Sequence, residues 1–218
     1  MYVASMFVAI IGVLFIFQQF FSSGFCPGIR PGSVDGLYGL VTYPLFHGSV
    51  SHLFSNLPPL FFLLAGLFYY FPRKFFPAVL SIWLLSAAFI WIVGHKGCHL
   101  GASGIIYGVA FFMAAIGIIK KQRNLGAFAL IIVFLYGGMI WGVLPQEGNI
   151  SWEGHAGGAL SGILLAILWS KTPVYTEQFE TKEQDEEEQE EMDQGDENMH
   201  LSQKGTTIHY HFTKKDEA

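Results

Sequence analysis

Two residues far apart in the chain, Ser103 and His155, have the types that a hydrolytic dyad requires, and each stands where an apolar stretch begins. A serine hydroxyl is a weak nucleophile until a base takes its proton, and neutral imidazole is the usual base. Ser103 lies in "HLGASGIIYG", residues 99–108, between Gly101 and Gly104 with Gly108 a turn deeper. His155 opens "HAGGALSG", residues 155–162, where Gly158 and Gly162 form a G-x-x-x-G pair. Small residues at that spacing let two helices meet backbone to backbone, which would bring the hydroxyl to the ring. No acid completes a triad. Glu153, two residues before His155, points about 200° away around a helix, and Asp35 lies in a long loop with no evident tie.

Acyl transfer also needs donors aimed at the oxygen that gains charge. The amides of Ala102 and Ser103, at the start of a helix, are expected to be free of intrahelical partners. His52 and Asn56, four residues apart on one helical face, can add two side-chain donors. His47 is expected to order the loop or the helix start, not to touch substrate. His95, Cys98 and His99 crowd one loop, but no fourth ligand stands at a recognisable spacing and HExxH is absent, so neither a metal nor a cofactor is expected.

The elements that must position these residues are membrane helices. With 52% hydrophobic and only 13% charged residues among 218, the chain is too apolar for an ordinary soluble domain. Stretches long enough to cross about 30 Å of hydrocarbon, or nearly so, fall at about 3–21, 52–71, 75–93, 103–119, 125–143 and 152–170. Residues 22–50 hold Gly24, Pro27, Gly28, Pro31, Gly32 and Gly36 and read as a long structured loop. The first span lacks a basic n-region and a clear A-x-A site, and reads as a retained helix. Cys26 and Cys98 fit no zinc spacing and no dense disulfide framework; a bridge between them and two independent thiols are the alternatives.

Orientation follows from the basic residues, because short loops rich in Lys and Arg stay cytoplasmic. Arg73, Lys74, Lys120, Lys121, Arg123 and Lys171 fall on one side and only Arg30 and Lys96 on the other. Both termini are therefore expected in the cytoplasm, and spans two, four and six enter from the outer face. His47, His52, Asn56, Ser103 and His155 then share one depth, and strongly polar groups inside a membrane are costly enough that such convergence indicates a common polar site.

The motifs "HGSVSHLFSN" (His47, His52, Asn56), "GASG" (Gly101, Ser103, Gly104) and "HAGGALSG" (His155, Gly158, Gly162) together resemble the rhomboid family of intramembrane serine proteases, over about residues 1–170. The resemblance implies Ser103 as nucleophile and His155 as base, with His52, Asn56 and the Ser103 amide around the oxyanion. It implies that Tyr107 packs on the catalytic ring. It also implies a six-transmembrane-helix bundle with a lateral gate beside span five and a loop-five cap at about 144–150. Many relatives carry a Trp-Arg pair in the first loop; "GLYGLVTYP", residues 36–44, places Tyr38 and Gly39 there instead, so the anchoring of that loop must differ.

The expected protein is thus an all-α membrane protein. Its six-helix protease domain covers 1–171 and an acidic, disordered cytoplasmic tail covers 172–218, where four Lys face fourteen Asp/Glu. Expected partners are the lipid bilayer and transmembrane-protein substrates cut near their outer ends, with no nucleic acid; the oligomeric state is not legible. A non-proteolytic relative that binds membrane helices and a small channel are the alternatives. The channel is disfavoured because the polar layer stops in the outer half.

Overall fold

A segment surrounded by hydrocarbon must satisfy its backbone hydrogen bonds internally, and the apolar stretches of this chain accordingly form helices. The structure, a computed structural model, describes residues 2–20, 25–135, 142–145 and 151–175. In chain order the helices are α1 (Tyr2–Gln18), the short α2 (Gly39–Thr42), α3 (Val50–Tyr70), α4 (Phe75–Val93), α5 (Ser103–Ile119), α6 (Arg123–Leu135) and α7 (Trp152–Leu168). Three-residue 3₁₀ turns occupy Val34–Gly36, Tyr43–Leu45 and Pro72–Lys74. Among the described residues there is no β-strand, only an isolated antiparallel bridge between Ile29 and His99. The end of the expected fifth span (136–141), the cap at 146–150 and the tail from 176 lie outside the described residues.

The expected spans fall on these helices, two of them with the same bounds, 75–93 and 103–119. Val50–Tyr70 and Pro72–Val93 are long and apolar enough to cross a membrane, whereas Tyr2–Gln18, Ser103–Ile119 and Arg123–Phe134 are apolar but shorter. The side chain of Ser49 caps α3 by accepting the His52 N–H at 3.1 Å. Ser103 is the first residue of α5, whose N-cap, Ala102, has no polar side chain to cap it.

Helix α5 is the centre of the bundle, packed against α7, α6, α4 and α3. It is buried nearly all round: Ile105, Tyr107, Val109, Ala110, Phe112, Met113 and Ile116 are at most 5% exposed. A helix enclosed by other helices is apolar on every side, which is why α5 shows no amphipathic pattern to read. Phe71 meets Phe112 edge to face, and Phe75 meets Phe7 and Phe68 in the same way. The outside is also apolar, with Leu80, Ile92, Ile118, Phe134 and Leu168 more than half exposed. Exposed large apolar side chains on every one of these helices suit a lipid environment better than water.

The segment 25–49 is anchored in several ways. Cys26 and Cys98 form a disulfide across 72 residues, which decides between the two alternatives the sequence leaves open. Ile29 and His99 exchange backbone hydrogen bonds of 2.8 and 2.9 Å. The indole N–H groups of Trp83 and Trp91 in α4 donate to the carbonyls of Leu40 and Ser33. Tyr38 donates to the Cys26 carbonyl and Thr42 to that of Pro27.

Candidate active site

The start of α5 is shaped by backbone contacts from the preceding loop. Gly101 has φ +121°, a conformation that side chains rarely adopt, and its N–H donates to the Tyr43 carbonyl at 2.8 Å. A Cβ there would also lie 2.6 Å from Cε1 of His52, so the glycine is needed both for its backbone angle and to admit that ring. The His52 ring is thereby held beside the start of the helix that carries Ser103. It meets His47 edge to face with centroids 5.1 Å apart. Asn56 is 5% exposed and donates one amide hydrogen to the His52 carbonyl at 2.8 Å, which leaves its second hydrogen for another acceptor.

His47 is fully buried, and its Nε2 accepts the Ala102 N–H at 3.4 Å. An accepting Nε2 means that the proton sits on Nδ1. Burial, with a smaller contribution from nearby His52, pushes the His47 imidazole down to about 3, in keeping with a ring that must stay neutral to accept. The backbone of His47 is clasped by the side chain of Gln18 at the end of α1, whose amide donates to the His47 carbonyl and accepts the His47 N–H at 3.1 Å. His47 thus contacts the backbone at the start of α5 through the Ala102 amide. One expectation changes here: the Ala102 amide is not free for an oxyanion, because His47 occupies it. The Ser103 amide meets no acceptor among the described residues.

His155 opens onto α5 from α7. Its ring lies face to face with that of Tyr107, one turn beyond Ser103, with centroids 4.1 Å apart and planes 9° from parallel. Its Nδ1 faces the Gly142 carbonyl at 2.9 Å. A carbonyl only accepts, so Nδ1 carries the proton and Nε2 is left with its lone pair. Helices α5 and α7 touch through backbone: a Cβ on Gly158 would fall inside contact distance of the Gly104 carbonyl oxygen, and one on Gly162 would do the same to Gly108. Ser103 and His155 are both half-buried, and no hydrogen bond joins the Ser103 hydroxyl to the ring. In ligand-free sites such contacts are often long and tighten when substrate binds.

The Rhomboid domain family model matches residues 34–172, which include all of these residues except Gln18. The chain belongs to the rhomboid family. It is 36% identical over 157 residues to an uncharacterized protein of Mycobacterium bovis and, to the same extent, to one of Mycobacterium tuberculosis; each match covers 66% of this chain and 63% of the relative. An uncharacterized protein of Mycobacterium leprae is 32% identical over the same length, covering 60% of its own chain. This rhomboid therefore spans less than two thirds of the length of the curated relatives it matches. Its family and its apolar helices make it an integral membrane protein.

Two features of this rhomboid escape sequence reading. Gly142 is one glycine of several in "YGGMIWGV", residues 136–143, and nothing in that string marks its carbonyl as the partner of His155. Glu153 makes its hydrogen bonds with His95 and not with His155. It is 1% exposed, and one carboxylate oxygen accepts the backbone N–H of His95 at 3.0 Å and faces Nδ1 of the His95 ring at 2.6 Å. His99 lies beside them, 3% exposed, with Nδ1 on the Ser151 hydroxyl at 2.6 Å and Nε2 on the His95 carbonyl at 2.8 Å.

Proposed function

We infer that this rhomboid is an intramembrane serine endopeptidase that cleaves membrane-spanning proteins near the outer end of their transmembrane segments. The single observation that carries the reading is the state of His155: with Nδ1 donating to Gly142 and its ring stacked on Tyr107, its Nε2 keeps a lone pair for the Ser103 proton. Ser103 attacks the scissile carbonyl as His155 takes its proton, and the imidazolium then protonates the leaving amine. The oxyanion is met by the Ser103 amide, the second amide hydrogen of Asn56 and the His52 ring. A backbone carbonyl fixes the base here, where classical triads use a carboxylate.

In this reading residues 1–171 form a six-transmembrane-helix domain. Both termini and the acidic tail, 172–218, lie in the cytoplasm, and the site opens outward. The distribution of Lys and Arg supports the orientation, and a disulfide between Cys26 and Cys98 is at home on an oxidising outer side. Spans of 17 residues rise only about 25 Å, less than the roughly 30 Å hydrocarbon core, so α1, α5 and α7 sit in a locally thinned bilayer. A substrate helix must unwind to present a carbonyl, since a helical backbone keeps its carbonyls hydrogen-bonded. Preferred substrates therefore carry small or helix-weakening residues beside the cut.

The test is cleavage of a helix-destabilised transmembrane reporter by the full chain in proteoliposomes. Ser103→Ala and His155→Ala are expected to abolish turnover while the protein stays folded; undiminished turnover in Ser103→Ala removes the proposal. The absent Ser103–His155 hydrogen bond favours one second reading, a non-proteolytic rhomboid that binds membrane helices. Labelling of folded protein at Ser103 by a fluorophosphonate, a probe that needs an activated serine, separates the two.

A further inference from the structure

We propose that His95, His99 and Glu153 form a binding site for a divalent transition-metal ion of the zinc type, joining the loop before α5 to the first turn of α7. One ligand atom from each of the three side chains lies within 4.8 Å of the others. Two imidazoles and a carboxylate are a donor set suited to zinc and its neighbours, and not to calcium or magnesium, which take oxygen. Distance along the chain hides the trio, because Glu153 is 54 positions beyond His99 and reaches it only through the packing of α7. Cys98, the other candidate in that loop, is committed to the disulfide.

The surroundings have the features that metal ligands need. His99 donates from Nε2 to the His95 carbonyl at 2.8 Å, which fixes its tautomer and leaves Nδ1 with a lone pair. Histidine ligands commonly have their other nitrogen held in this way. That Nδ1 is capped only by the Ser151 hydroxyl, a group that can turn aside and hydrogen-bond an ion-bound water. The second oxygen of Glu153, Oε2, is buried without any hydrogen-bond partner. A buried carboxylate oxygen with nothing opposite it is costly, and a cation supplies what it lacks.

The geometry needs one adjustment. Ligand atoms each about 2.1 Å from a tetrahedral ion stand roughly 3.4 Å apart, so the trio must draw together. His95 can do this, because its side chain is 54% exposed and is held by one hydrogen bond to Glu153 and an edge-to-face contact with the His99 ring, while the Glu153 side chain is 2% exposed and forms the fixed wall. Three protein ligands leave a fourth position for water on the exposed side. An ion there clamps together two stretches that carry the family motifs: Ser103 follows His99 by four residues, and His155 follows Glu153 by two. The proposal concerns binding alone and stands apart from the question of proteolysis.

The experiment titrates the untagged, metal-stripped full chain in detergent with Co²⁺, followed by its visible d–d absorption, and with Zn²⁺, followed by thermal unfolding. Wild type is expected to bind one ion with the intense absorption of a four- or five-coordinate site, and zinc to raise its unfolding temperature. His95→Ala removes an exposed side chain and should fold; it is expected to weaken binding by at least the roughly 10–100-fold typical of disturbing a ligand's support and to abolish the zinc shift. Glu153→Gln should do the same if it folds. The tail histidines His200, His209 and His211 are the competing chelators, so His200→Ala with His209→Ala and His211→Ala must leave the absorption intact. Folded wild type that shows no such absorption at micromolar Co²⁺, binding that survives His95→Ala, or binding that disappears with the tail histidines would each overturn the proposal.

Discussion

The imidazole of His155 lies flat on the phenol ring of Tyr107, 4.1 Å between centroids and 9° from parallel, and is held from the other direction by the Gly142 carbonyl at 2.9 Å. The two contacts orient the ring through packing and through one hydrogen bond, so they can be removed separately.

Tyr107→Ala is expected to lower kcat/KM for reporter cleavage by about 2- to 13-fold, the equivalent of the 0.5–1.5 kcal/mol that aromatic stacking is worth beyond burial. Tyr107→Phe keeps the ring and should stay within a few-fold of wild type. If both variants lose activity alike, the hydroxyl and not the stacked face is what matters.

Gly142→Ala should impair activity more than stability. A Cβ at that position would sit 2.9 Å from Nδ1 of His155 and press on the Tyr107 hydroxyl, displacing the carbonyl that fixes the tautomer. A melting temperature near that of wild type together with a large fall in kcat is the expected pair of results; full activity would mean the carbonyl contact is incidental.

The α5–α7 contact predicts the opposite balance at Gly158. A methyl group there lands on the Gly104 carbonyl, which belongs to backbone and cannot swing away. Gly158→Ala should cost about 1–3 kcal/mol, as overpacking does in other close-packed interiors, and thermal unfolding in detergent measures it. A Cβ added to Gly126 would meet nothing within 4 Å, so Gly126→Ala is the control that should leave stability unchanged or slightly raised.

Removing the disulfide should loosen the first loop. By loop-closure entropy a bridge across 72 residues contributes up to about 4 kcal/mol. Cys26→Ser with Cys98→Ser should therefore melt several degrees lower than wild type, and a reducing agent should lower the wild type alone. Equal melting of all samples would assign loop anchoring to the Trp83, Trp91 and Ile29 hydrogen bonds instead.

His47 predicts an acid-side loss of stability. Its imidazole titrates at about 3 in the folded chain because burial disfavours the charged ring, against an ordinary value near 6.5. Between those values the unfolded chain binds the proton more tightly, so the contribution of His47 is complete above about pH 6.5 and declines as pH falls towards 3. His47→Asn should flatten that part of the profile when unfolding temperature is measured from about pH 8 to about pH 4. An unchanged slope would assign the acid sensitivity to the other buried histidines.

Sequence by itself determined the helices, because hydrocarbon thickness sets a minimum run of apolar residues and that run is a property of contiguous chain. It also determined which residues deserve attention: a serine and a histidine set among glycines, and a His and Asn one turn apart, are local patterns with a chemical reason behind them. The bounds of α4 and α5 and the glycine contacts of α7 follow from such patterns. Tertiary structure alone decided four pairings between distant segments: Cys26 with Cys98, Ala102 with His47, Gly142 with His155, Glu153 with His95. Each depends on how far a helix is rotated and slid against its neighbour, which is set by the summed packing of many side chains. A backbone carbonyl or amide, present at every position, leaves no mark of its own in the sequence.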